Sequence, residues 1–221
     1  MAFEALPERL AQVRAEIARL APHPVTIVAV TKGFGTDAIL AARDAGLADI
    51  GENRVQEALQ KQDALGDVAA IRWHLIGHVQ RNKAKLLAGR FALVHSVDSL
   101  ELATELNKRA ATPLRVLVQV NVAGEPQKSG CTPEDAPALA RQVAELEHLR
   151  LEGLMTLAPF TDDVDVQRRT FRGLRVLRDR IKEEGVWLPT LSMGMSADYA
   201  TAVAEGATVI RLGTVLFGPR T

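Results

Sequence analysis

Hydrophobic positions along the chain follow two alternating rhythms. Residues 4–20 place Leu6, Leu10, Val13, Ile17 and Leu20 three and four apart, which predicts an amphipathic helix ending before Pro22 and Pro24. Val25–Val30 is then a run of β-formers and Ala, closed by Thr31 and Lys32 and followed by Gly33 and Gly35. A short apolar run bounded by turn residues reads as a strand buried on both faces, as in a parallel sheet. A helix capped by Thr36 or Asp37 follows to about Ala45, with Gly46 as its stop. Asp49–Glu52 is a short second strand with Asn53 at its exit, and Val55 to about Leu65 is helical as far as Gly66. Ile71–Ile76 makes a third strand that runs into Gly77–Lys83, the opening of another helix. Phe91–Val97 is the fourth strand, and Asp98 or Ser99 caps a helix through about Ala110. The fifth, Leu114–Val122, is the most β-branched; after the loop Ala123–Gly130, Thr132 caps a helix from Pro133 with Glu134 and Asp135 in its first turn. Leu151–Leu157, a long helix Asp163–Glu184, Thr190–Met193, a helix from about Ala197 to Ala204, and Thr208–Leu212 complete the series.

Eight strands thus alternate with seven helices, and no segment reads as an inserted second domain or a Pro/Gly/Ser-rich linker. Such alternation means parallel strands joined by right-handed crossovers. Eight of them predict a closed (β/α)8 TIM barrel forming a single domain over residues 1–221, with the barrel itself at about 25–218. A doubly wound open sheet is the alternative. No helix is expected after the eighth strand, so the N-terminal helix is predicted to cover the seam between strands eight and one.

Composition narrows the classes of function. Lys plus Arg and Asp plus Glu are both 27, so bulk attraction to nucleic acid or to acidic membranes is not expected. Cys131 is the single cysteine, which permits no internal disulfide and fits a reducing compartment. No apolar stretch is long enough to span a bilayer, and Met1–Leu10 carries acids where a signal core would be apolar. The sequence therefore reads as cytoplasmic.

In a barrel the strand exits gather at one rim, which is where ligands bind. The polar residues there are Lys32, Asn53, His78 or Asn82, Lys128, Ser196, Arg211 and Thr214. For an arbitrary lysine at a strand end, exposure to solvent is explanation enough. Desolvation at a barrel mouth would instead lower the Lys32 amine from about 10.4 and leave a neutral nucleophile able to form a Schiff base. Barrels frequently bind phosphate with the loops after strands seven and eight. Those loops read Ser192-Met193-Gly194-Met195-Ser196 and Arg211-Leu212-Gly213-Thr214: glycines for close backbone approach, hydroxyls to donate, and helix amides beyond. Taken singly, Gly194 and Gly213 need only make tight exits. Taken together with Lys32 they point to a phosphorylated carbonyl compound, either a phospho-sugar in a Schiff-base aldolase or pyridoxal 5'-phosphate.

A wider set of residues resembles one family. Ala29-Val30-Thr31-Lys32, Gly51-Glu52-Asn53 with Gln56-Glu57, Trp73-His74-Leu75-Ile76-Gly77 with Gln80 and Asn82-Lys83, and Glu125-Pro126 with Lys128-Ser129-Gly130 belong to it. So do Gly153-Leu154-Met155, Leu191 to Ser196 with Asp198, and Arg211-Leu212-Gly213 with Phe217-Gly218. This set, spread over about 25–218, closely resembles the pyridoxal phosphate homeostasis protein family, also called the YggS or PROSC family. The resemblance implies a fold-type III barrel like the N-terminal domain of alanine racemase, with pyridoxal 5'-phosphate held on Lys32 as an internal aldimine. It implies phosphate contacts at Ser196, Gly213 and Thr214, Arg211 near the pyridine nitrogen, and Asn53 in contact with the cofactor. An arginine there cannot protonate the ring nitrogen, so the ring is a weaker electron sink than it would be beside an aspartate. Lys128 is either a contact to the phosphate or ring edge or a solvated loop lysine. His74 reads as a satisfied core histidine outside the site.

Two functions follow. One is a non-catalytic carrier of pyridoxal 5'-phosphate in vitamin B6 homeostasis, a monomer whose possible partners are apo-enzymes that use the cofactor. The other is an amino acid racemase, which needs an acid or base on each face of the cofactor. In alanine racemase the second is a tyrosine from an added β-domain and a partner subunit. Here the single tyrosine, Tyr199, lies in the helix after strand seven and reads as a packing residue. The carrier is the expected function, without catalytic residues or a metal.

Overall fold

Eight parallel strands close into a barrel in chain order in the computed structural model, which describes residues 3–66 and 71–219. They are β1 (Thr26–Val30), β2 (Asp49–Glu52), β3 (Arg72–Leu75), β4 (Leu93–Val97), β5 (Leu114–Gln119), β6 (Leu149–Met155), β7 (Thr190–Met195) and β8 (Val209–Leu212). β8 pairs with β1 from Thr26↔Val209 to Ala29↔Leu212, so the sheet has no edge and the open doubly wound alternative is excluded. The α-helices are α1 (Leu6–Leu20), α2 (Thr36–Asp44), α3 (Val55–Leu65), α4 (Leu100–Arg109), α5 (Ala136–Ala144), α6 (Val164–Glu183), α7 (Tyr199–Ala204) and α8 (Thr214–Phe217).

The strands read as buried runs because both their faces are covered. Outward residues such as Ile27, Ala29, Ile50, Val116, Leu191, Ile210 and Leu212 join the helices in one continuous apolar core. Inside the barrel the filling is divided. Leu93, Leu117 and Met155 form a small separate apolar cluster, whereas His74, His95, Ser192 and Arg211 are buried polar groups. Such groups are tolerated in a core only when hydrogen-bonded, and these are bonded to one another.

α1 packs against α7 and α8, burying Leu6, Leu10, Val13 and Ile17 where strand eight hands over to strand one, as the amphipathic spacing predicts. Two elements differ from expectation. A single helical turn, α8, follows β8 where none was foreseen; its Phe217 packs on Phe3 and Phe34. The connection after β3 is a 3-10 helix, Arg81–Leu86, in place of an α-helix opening at Gly77. Its polar sequence buries Ala84 and then Leu87, three apart, which suits three residues per turn. Boundaries also shift: β6 begins at Leu149, β7 runs on to Met195, and α5 starts at Ala136 after a turn in which Thr132 Oγ1 accepts from the Asp135 amide. Cys131 is half-buried, and burial pushes its thiol up to about 12.

Candidate functional site

At the strand exits a cavity of about 390 Å³ opens, lined by Lys32 after β1, Asn53 after β2, Ser196 after β7, and Arg211, Gly213 and Thr214 on and after β8. All six of the predicted contact residues meet there. The segment Leu157–Asp162 after β6 forms another wall, with Phe160 almost fully exposed at the mouth.

The lysine side is held by ions behind the rim. Thr31 Oγ1 donates to Glu52 Oε1 at 2.6 Å. Lys61 on α3, buried, donates to the Thr31 carbonyl at 2.9 Å, to Glu52 Oε1 at 2.7 Å and to Glu57 Oε1 at 2.8 Å. Glu57 Oε1 also accepts from the Gly33 amide at 2.9 Å. The backbone is therefore gripped on both sides of Lys32. Burial pushes the Glu52 carboxyl up despite its bonds to Lys61 and Thr31. For the more exposed Glu57, burial also acts upward, but the bonds from Lys61 and the Gly33 amide win and lower it. Asn53 is fixed by a neighbouring backbone: a Cβ on Gly77 would lie 2.2 Å from the Asn53 carbonyl, so the β3 exit comes this close because residue 77 is glycine.

The opposite side is held by hydrogen bonds. Asp198 Oδ1 accepts from the Met195 amide at 2.5 Å, and Ser196 Oγ accepts from the amides of Gly213 at 3.1 Å and Val215 at 3.3 Å. Just before this turn the backbone of β7 requires Gly194, at φ 94°, where an added Cβ would lie 2.6 Å from Ala202 Cβ. Arg211 Nη1 donates to Ser192 Oγ at 2.6 Å and Nη2 to the Thr156 carbonyl at 2.9 Å. Burial lowers the Arg211 guanidinium to about 10 against the pull of Asp198, so it stays charged at neutral pH. Burial pushes the Asp198 carboxyl up, opposed by the Met195 amide and Arg211.

Two features suit a ligand in this cavity. Asn53 Oδ1 is buried without a hydrogen-bond partner among the described residues. A Cβ on Gly213 would meet nothing closer than the Val30 carbonyl at 3.5 Å, so chain packing does not demand a glycine there. The side chain's absence widens the cavity instead.

Residues 5–221 match the family described as "Alanine racemase, N-terminal domain". The chain belongs to that family. Among its relatives, the pyridoxal phosphate homeostasis protein of Pseudomonas aeruginosa is 45% identical over 224 residues, covering 97% of this chain and 96% of the relative. PipY of Synechococcus elongatus, solved with PLP bound, is 38% identical with a TM-score of 0.87, covering 96% of this chain and all of PipY. Alanine racemase of Clostridium difficile, at 18% identity and a TM-score of 0.79, shares the fold over 95% of this chain and 59% of its own.

Other predicted candidates lie elsewhere. His78 pairs with Asp98 at 3.2 Å and Asn82 lines a groove beside α4; neither borders the cavity. Lys128 pairs with Glu125 and donates to the Ala158 carbonyl at 2.7 Å, tying its loop to the cavity wall without lining it. The Tyr199 hydroxyl donates to Glu16 on α1, which fits its reading as a packing residue. His74 is a buried, bonded core histidine as expected, yet its bonds lead towards the site through His95, which drew no attention in the sequence. Asp198, Thr156 and the Glu52–Lys61–Glu57 cluster were also missed as supports.

Proposed function

We propose that this chain binds pyridoxal 5'-phosphate reversibly and takes part in its homeostasis without catalysis of its own. The observation that carries this is the convergence of Lys32, Asn53, Ser196, Arg211, Gly213 and Thr214 on one cavity in a chain 38% identical to PipY, a protein solved with PLP bound. The cofactor supplies an aldehyde that condenses with an amine and a pyridine ring that withdraws electrons. Lys32 provides the amine. Ser196, Gly213 and Thr214 bind the phosphate; Ser196 already accepts two amides and keeps its hydroxyl hydrogen for an anion. Arg211 would face the ring nitrogen and, charged at neutral pH, would leave it unprotonated.

The racemase reading is disfavoured by what faces the cavity. Its titratable lining groups are Lys32, Asp162, Asp198 and Arg211, and Asp198 is engaged by the Met195 amide. Tyr199 is turned to Glu16. No tyrosine lines the cavity to act as the second base. No helix among the described residues is long and apolar enough to cross a membrane, and the proposed setting is the cytoplasm. There the chain acts as a monomer that exchanges the cofactor with apo-enzymes.

The test is an absorption spectrum with and without added pyridoxal 5'-phosphate, beside a Lys32→Ala variant, followed by L-alanine with chiral product analysis. A visible Schiff-base band in the parent, lost in the variant, with no D-alanine formed, is the expected result. A band that survives in the variant removes Lys32 from its role, and accumulating D-alanine replaces the carrier by a racemase.

A further inference from the structure

A line of hydrogen bonds crosses the barrel interior and ends on Arg211. Asp49 opens β2 and is salt-bridged to the half-exposed Arg72 at 2.6 Å. From Asp49 Oδ1 the line runs to His74 Nε2 at 2.9 Å, from His74 Nδ1 to His95 Nε2 at 2.9 Å, and from His95 Nδ1 to Ser192 Oγ at 2.8 Å. Ser192 Oγ then accepts from Arg211 Nη1 at 2.6 Å. Its members come from β2, β3, β4, β7 and β8.

Donor and acceptor rules give the line a direction. A carboxylate only accepts, so His74 donates from Nε2; where its Nδ1 carries no hydrogen, that nitrogen accepts. His95 must then donate from Nε2, which leaves its Nδ1 bare to accept the Ser192 hydroxyl hydrogen. The Ser192 oxygen turns its lone pairs to Arg211, which can only donate. Every hydrogen points towards Asp49, and each link satisfies the next. Full burial holds His95 well below its ordinary value, and the Arg211 and Arg115 cations push it the same way, so it is the neutral ring that this pattern needs. The charged groups facing the line are Arg72 and the Arg115–Glu152 pair near the strand entries and Asp198 beside Arg211.

We propose that Asp49, His74, His95 and Ser192 are positioning residues for Arg211. Asp49 fixes the tautomers of the two histidines, these fix the direction of the Ser192 hydroxyl, and that hydroxyl holds Nη1 so that the guanidinium keeps one orientation towards the ligand. This rests on the reading of Arg211 as the partner of the cofactor ring nitrogen. The orientation itself is a property of the cofactor-free protein and is tested there.

The experiment is side-chain nitrogen NMR of the cofactor-free parent and of Ser192→Ala, Ser192→Thr and His95→Phe. In the parent, His74 and His95 are expected to carry hydrogen on Nε2 only, and the Arg211 Nη hydrogens to give separate, slowly rotating signals. In Ser192→Ala and His95→Phe those signals coalesce; in Ser192→Thr, which keeps the hydroxyl, they remain distinct. With pyridoxal 5'-phosphate added, affinity falls about tenfold in Ser192→Ala, in line with the loss of a hydrogen bond to a charged group, and the visible band changes its pH midpoint. A purely structural role for the line moves thermal stability without that midpoint. Hydrogen on His95 Nδ1 in the parent, or Arg211 signals unchanged in Ser192→Ala, overturns the proposal. A parent without any visible band defeats the cofactor reading alone, since the tautomers and arginine signals still decide the line.

Discussion

The two sides of the cavity are braced by different physics. Behind Lys32 stands a compact ionic knot in which Lys61 binds Glu52, Glu57 and the Thr31 carbonyl within 3 Å. Behind Arg211 stands a line of two imidazoles and a hydroxyl that ends on the Asp49 carboxylate at the far side. The difference matches what each residue must do. In the proposed role of an amine that gains and loses a covalent bond, Lys32 needs its backbone fixed, and the knot grips Thr31 and Gly33 on either side of it. Arg211, whose donors the proposed ligand would share, is held by the Ser192 hydroxyl and the Thr156 carbonyl, because a carboxylate salt-bridged to it would compete with the ligand for those donors. The knot should therefore be costly to break and local in effect. The line should be cheaper in stability and felt at a distance.

The largest effect is expected from Lys61→Met. Glu52 is fully buried and would keep Thr31 as its remaining bonded partner. Removing one member of a buried ion pair costs about 3–5 kcal/mol, which urea unfolding at neutral pH will show. The folded carboxyl lies above its ordinary 4.5. Its favourable contribution is therefore present below 4.5 and declines as pH rises through the folded value, so the deficit of the variant should grow in that direction. Adding Glu52→Gln to Lys61→Met should recover much of the loss. A single variant as stable as the parent would mean that the knot is ornamental.

The arginine side should answer to Asp49→Asn. Burial acts to raise Asp49, but bonds from His74 and Arg72 hold it at about 2, below its ordinary 3.8. Its contribution is complete above 3.8 and is lost as pH falls towards 2. Converted at about 1.4 kcal/mol per unit, it amounts to about 2 kcal/mol. Acid titration of stability should show a limb over that window in the parent and a flatter one in Asp49→Asn. Equal limbs would show that the charge at the end of the line contributes nothing to the fold.

The contrast also explains what a single sequence discloses. The strands were legible because each is a short apolar run whose end is marked, as Val30 is by Thr31, Lys32 and Gly33. The rim followed from the strand exits, which named Lys32, Asn53, Ser196, Arg211 and Thr214 together with His78, Asn82 and Lys128, which lie off the cavity; the family resemblance narrowed the set and added Gly213. The ionic knot lies within residues 31–61 and was half visible: Glu57 and Lys61 are four apart on one helix face. The line was not, because its members lie 21 and 97 residues apart and meet only when the barrel closes. His95 sits in Leu93-Val94-His95-Ser96-Val97, where it looks like any strand interior. The turn of α8 was invisible because Thr214–Phe217 is too short to show a helical rhythm.

The smallest effect, and the sharpest test of whether the knot works by charge or by geometry, is Glu57→Gln. Its Oε1 accepts from Lys61 and the Gly33 amide, and a glutamine oxygen can take the same two bonds. The charge is lost while the grip on the lysine segment is kept. With the side chain about a quarter exposed, water screens the pair, and the expected cost is below about 1 kcal/mol. Glu57 lies below its ordinary 4.5 when folded, so its stabilisation is present above 4.5 and fades as pH falls through the folded value. Parent and variant should differ slightly at neutral pH and converge in acid. Capture of pyridoxal 5'-phosphate, followed by the visible band, should keep the parental rate if the knot acts by holding the Gly33 amide. A loss as large as that of Lys61→Met would instead mean that negative charge next to Lys32, and not the fixed backbone, is what the lysine side supplies.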